Sequence, residues 1–150
     1  MRVFEQIRGF VDAMGDGTLP REQWTHAAHL RVGAWHVHRS GLEGALQDMP
    51  PLIRRYNELS GVPNTDSSGY HETLTVAYLR EIDRVVRELA TATTFEDSIE
   101  AVLASGLADS AWPHRHWSRE RLWSVEARRG WVAPDLAPLK SDDSPTFPNR

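Results

Sequence analysis

Residues 70–90, Tyr-His-Glu-Thr-Leu-Thr-Val-Ala-Tyr-Leu-Arg-Glu-Ile-Asp-Arg-Val-Val-Arg-Glu-Leu-Ala, decide the fold class. Leu74, Tyr78, Ile82, Val85, Val86 and Leu89 return every three or four positions, so they share one face of an α-helix running from about Tyr70 to Ala90. No stretch of the chain shows the period-two alternation of a half-buried strand, and no internal repeat is present.

Working outward, residues 61–69, Gly-Val-Pro-Asn-Thr-Asp-Ser-Ser-Gly, read as a polar loop delivering that helix. Before it, Leu42, Leu46, Met49, Leu52, Ile53, Tyr56 and Leu59 form another core-facing stripe. Pro50-Pro51 predicts a kink there or two abutting helices, because proline has no amide hydrogen and crowds the preceding turn. Further upstream, Thr25 is the expected N-cap of a helix reaching about Arg39 and ending at Ser40-Gly41. Val3, Phe4, Ile7, Phe10, Val11 and Met14 predict a first helix over about 2–14, stopped by Gly15-Asp16-Gly17. Downstream, Thr94 with Asp97 resembles a capping box, and Ser118 predicts one helix to about Arg129 after the aromatic loop 112–117. The expectation is an all-α, single-domain bundle of about five to six helices over 1–139. Residues 140–150, polar and proline-bearing, are expected to be a flexible tail.

At 150 residues the chain is long enough for one core that buries roughly two thirds of its unfolded surface. A net charge of -4 with mixed signs argues against a nucleic-acid face. Cysteine is absent, so disulfides, thiolate ligands and a cysteine nucleophile are excluded, leaving histidine and carboxylate as the strong metal ligands. No apolar run reaches bilayer length and the first residues lack the build of a secretory signal, so a cytoplasmic protein without a membrane partner is expected.

Two motifs carry the candidate chemistry: Trp24-Thr25-His26-Ala27-Ala28-His29-Leu30 and Gly69-Tyr70-His71-Glu72-Thr73-Leu74-Thr75. His26 and His29 lie three apart and share a helix face, and His71 opens the other long helix. If the two helix starts adjoin, His26, His29 and His71 form a three-imidazole site suited to zinc or iron, with Glu72 as general base. Trp35, Tyr70, Thr75 and Arg128 are the candidate substrate contacts, Arg128 through its fork of donors. His36, seven residues after His29, is a possible extra ligand, whereas His38 falls on the solvent side. His114 and His116 read as exposed loop residues. Each motif also admits a plain structural reading, in which the histidines bond to nearby backbone and Thr25 only caps. Most of the six tryptophans read as core or as the wall of a pocket.

At these residues the chain resembles a family of small bacterial helical proteins of no assigned activity, recognised by Thr-His-x-x-His-Leu and a later Tyr-His-Glu-Thr-x-Thr, here Thr25–Leu30 and Tyr70–Thr75. The likeness extends through Tyr56-Asn57, Asn64-Thr65, 124–128 and Pro134-Asp135-Leu136. It implies that His26, His29, His71 and Glu72 belong together, and His36 lies outside its pattern. A looser, architectural likeness is to the DinB-like metal-binding four-helix bundles. Their histidine pair has three intervening residues where His26 and His29 have two.

The leading expectation is a divalent-metal-dependent enzyme acting on a small molecule. The alternative is a non-catalytic helical module that binds a small ligand or a partner, with structural histidines. A homodimer is open to an aromatic-rich bundle, though no heptad seam assigns one.

Overall fold

The computed structural model describes residues 2–89 and 94–143. The described residues form six α-helices: α1 (Val3–Asp16), α2 (His26–Leu59), α3 (Glu72–Arg87), α4 (Phe95–Ala104), α5 (Arg119–Leu122) and α6 (Val125–Arg129). Four 3₁₀ turns lie between or after them, and no strand occurs among the described residues beyond one isolated bridge, Thr65 to Ser68. The all-α reading therefore holds. No described helix is long and apolar enough to cross a membrane.

The long α2 is the spine, packed against α1, α3 and α4. It begins where expected, with the Thr25 hydroxyl accepting from the Ala28 amide at 3.1 Å. Its break comes at Gly41, the one interior residue outside helical dihedrals (φ 72°, ψ 175°), a left-handed conformation open to glycine at little steric cost. The sequence thus marks the boundary correctly at Ser40-Gly41. Helical dihedrals run on through Pro50 and Pro51, so no break develops there. Proline's fixed φ is compatible with a helix even though its missing amide forfeits a bond.

Where α2 crosses α3, a Cβ at Gly33 would lie 2.8 Å from Ile82 Cδ1, so a larger residue there would require the end of the Ile82 side chain to move. Tyr56, Leu30, Leu79, Ile82 and Met14 are fully or almost fully buried in the core. Transfer of such side chains from water, roughly 1.5–3 kcal/mol each, is the main force holding the helices together. The Thr94 capping box with Asp97 opens α4 as expected.

The segment expected as one helix after Ser118 is two. Ser118 caps α5 through Arg121 N, and Ser124 caps α6 through Ala127 N while its hydroxyl donates to Arg121 O. Serine's competition for backbone partners restarts the helix in mid-segment. At the far end Leu139 is fully buried, and the Ser141 amide donates to the buried Glu81 carboxylate at 3.0 Å. Residues 140–143 form a 3₁₀ turn there, so the packed chain extends past the expected start of the tail; the rest of that segment, 144–150, lies outside the described residues.

Candidate functional site

The starts of α2 and α3 do lie on one cavity, of about 510 Å³. Five of the eight expected site residues line it: His26, His29, Tyr70, His71 and Thr75.

His29 lies one turn into α2. Its Nδ1 is 2.7 Å from the Thr25 carbonyl oxygen, which can only accept, so Nδ1 carries the proton and Nε2 presents a lone pair. The ring stacks on Trp24 with centroids 3.7 Å apart. Burial lowers its pKa from the ordinary value of 6.5 to about 4, against the raising effect of the Thr25 bond, with nearby His26 and Arg21 adding to the fall. His29 is therefore a neutral acceptor near pH 7. His26 is fixed by Nε2–H donating to Leu107 O at 2.7 Å, and its ring meets the edge of Tyr78. This bond ties α2 to the chain after α4.

His71 does different work. It is the N-cap of α3: Nδ1 accepts from the Leu74 amide at 3.1 Å, while Nε2–H donates to Leu122 O at 2.7 Å. Both ring nitrogens are occupied, which defines one neutral tautomer. Burial pushes its pKa below the usual histidine range, helped by the Arg128 cation and opposed by the Leu122 bond.

The neighbouring motif residues reinforce this junction. Thr73 donates to Gly130 O and accepts from Val132 N, at 2.8 and 3.1 Å. Thr75 donates to His71 O. The Tyr70 hydroxyl donates to Glu72 Oε1 at 2.6 Å, and burial followed by that bond raises the phenol's pKa.

The three-histidine centre does not assemble. Among the described residues no group of three or more histidines, aspartates or glutamates is placed to hold a metal ion. His71 has no uncommitted nitrogen, so ligation would remove either the α3 cap or the tie to Leu122. Glu72, the expected base, lies outside the cavity lining, and its carboxylate accepts from the Tyr70 hydroxyl. Trp35 and Arg128 are also outside the lining. Trp35 is buried in the core against Phe4, its indole nitrogen unpartnered. Arg128 donates to Gly69 O at 3.0 Å and Tyr70 O at 3.4 Å, holding the loop before α3 in place of a ligand. His36 is buried on the Val32 carbonyl away from the cavity.

Several lining residues were not anticipated. Tyr78 had been read as core; its hydroxyl has no partner among the described residues, and burial with the Asp109 charge nearby raises its pKa. Its spacing from Thr75 and Leu74, one turn on, was the available signal. His114, expected in an exposed loop, belongs to a 3₁₀ turn and lines the cavity with a buried, unpartnered Nδ1. Arg21, Trp24 and Trp123 complete the rim, and nothing in the local spacing marks Arg21. His116 is tied to the Ala137 carbonyl.

Arg21 is held by the same network that fixes the second motif. Its Nη1 donates to Asn57 Oδ1 and Ser60 Oγ, Asn57 Nδ2 donates to Asn64 Oδ1, and that oxygen also accepts from Tyr70 N.

Comparison of the chain with protein-family models, with curated proteins and with solved structures gave no match. Any functional reading therefore rests on this geometry.

Proposed function

We propose that the protein binds a small organic molecule in the cavity between α2 and α3, without a metal ion. The carrying observation is the lining: about 510 Å³ walled by Trp24, Leu30, Leu79, Ile82 and Tyr78, together with polar side chains that include His29, Asn57, Thr75 and His114. That size and mixture match small-molecule sites, in which apolar walls supply affinity and a few fixed polar atoms supply orientation. His29 Nε2 is such an atom, neutral and aimed by its bond to Thr25. His26 and His71 act as ties that hold the chain at Leu107 and Leu122, outside the lining itself, onto the two long helices.

The test uses N-phenyl-1-naphthylamine, an uncharged fluorophore that brightens in apolar sites, with tag-free protein. Saturable binding near one probe per chain is expected, with quenching of tryptophan emission from Trp24 and Trp123. EDTA should leave it unchanged, and Thr75→Trp, which fills lining space, should weaken it at least tenfold with the circular dichroism spectrum retained. Absence of saturable binding to the native protein, or binding that requires added zinc or iron, would overturn the reading.

A further inference from the structure

Resting on the small-molecule reading above, we infer that the ligand of this cavity is an organic acid, its oxyanion facing Arg21 and its apolar body lying between α2 and α3. Among the described residues Arg21 is the only lining residue that bears a formal charge near pH 7 apart from the titratable histidines, and no described aspartate or glutamate lines the cavity. Its protein partners are neutral oxygens of Asn57 and Ser60, and it makes no ion pair with a carboxylate among the described residues. The Arg21 side chain is exposed, with its guanidinium over the Tyr56 ring at 5.0 Å and only Nη1 bonded to protein among the described residues, which leaves its other donors open to a ligand.

Residues of the first turns of α2 and α3, His26, His29, Leu74 and Thr75, line the same cavity. The Tyr78 hydroxyl, without a protein partner, supplies a further donor. Two carboxylates beside lining residues have partners of their own, Glu72 accepting from Tyr70 and Asp109 from Arg115. An ammonium ligand would meet the Arg21 cation and no lining carboxylate, whereas an oxyanion gains a charge-assisted bond that a neutral ligand does not.

The experiment varies head-group charge on one body: 2-naphthoate, 2-naphthamide and 2-naphthylmethylamine compete for N-phenyl-1-naphthylamine on the native protein at pH 7.5 and low salt. 2-Naphthoate should bind about tenfold or more tighter than the amide, the margin of a charge-assisted hydrogen bond over a neutral one, and the amine should bind most weakly. In Arg21→Gln the acid-to-amide affinity ratio should fall towards one, and Arg21→Lys should keep part of it. An amide or amine that binds as tightly as the acid overturns the inference, as does an acid preference that survives in Arg21→Gln. If the fluorophore binds but 2-naphthoate fails to displace it, the acid assignment fails while the cavity reading stands. If the fluorophore itself does not bind, both fail.

Discussion

Replacing His71 with alanine should cost stability through two lost hydrogen bonds, and the loss divides into parts that can be separated. The first part is the cap: without Nδ1 the Leu74 amide loses its acceptor, worth about 1 kcal/mol by the usual effect of N-cap removal. The second is the carbonyl of Leu122, a fully buried residue, which loses its donor at about 1–3 kcal/mol. Together these give roughly 2–4 kcal/mol, which for a chain of this length lowers Tm by about 5–15 °C. His71→Asn restores the cap, because an asparagine carbonyl is a strong N-cap acceptor, but does not reach Leu122. It should recover about 1 kcal/mol. Differential scanning calorimetry at pH 8 therefore orders the proteins native, Asn, Ala. Equal stability of the two variants would refute the capping role, and an alanine variant as stable as the native protein would refute both bonds. The same geometry fixes the tautomer: nitrogen-15 NMR should find His71 neutral with its proton on Nε2, and a proton on Nδ1 would contradict the donor assignment outright.

Other consequences follow from neighbouring contacts. His29, with a folded pKa of about 4 against 6.5 when unfolded, contributes stability that is fully present above about pH 6.5 and lost as pH falls towards 4, roughly 3 kcal/mol at most; His29→Gln should flatten that part of the Tm-versus-pH curve, and an unchanged slope would contradict the buried neutral ring. Thr73→Val leaves the Gly130 carbonyl and Val132 amide unpaired and should cost about 1–3 kcal/mol, with hydrogen exchange speeding up around α6 more than in α1; uniform change would refute the local tie. Gly41→Ala forces a methyl into left-handed backbone in open space and should lower stability by about 1 kcal/mol in urea melts, whereas a stabilised variant would show that the break in α2 is not held at φ 72°. After loading with zinc and desalting, mass spectrometry should find well under one ion per chain, since His71 offers no free nitrogen.

Much of the bundle is legible from one-dimensional pattern because helix boundaries are written in local chemistry. Thr25, Gly41 and the Thr94–Asp97 box act on residues within one turn of themselves, so their positions suffice. Ser124 works equally locally, yet its hydroxyl competes with helix continuation, and whether it caps or merely decorates depends on the path the chain takes afterwards. The adjacency of the two histidine motifs was also accessible, through the joint occurrence of two helix starts bearing imidazoles. What each imidazole does was not. The decisive partners of His26 and His71 are the carbonyls of Leu107 and Leu122, 81 and 51 residues away, and a backbone carbonyl leaves no trace in residue identity. Arg21 was hidden for the same reason: its importance comes from the absence of a carboxylate in a cavity assembled from distant turns.

The second motif then has a coherent physical reading without a metal. Each polar side chain in Tyr70–Thr75 has a recorded protein partner: Tyr70 with Glu72, His71 with Leu74 and Leu122, Thr73 with Gly130 and Val132, Thr75 with His71. With Arg128 holding the carbonyls just before it, the start of α3 is pinned from several directions. A helix start so constrained presents its first turn to the cavity at a fixed distance from α2, and His29 presents its lone pair from the facing turn. Preorganisation of this kind lowers the ordering cost of binding, so under the proposed ligand-binding role the motif would contribute the rigidity of the walls. Its residues should therefore lose ligand affinity in proportion to local loosening, as read by hydrogen exchange, whereas Arg21 and His29 should lose affinity with exchange rates unchanged.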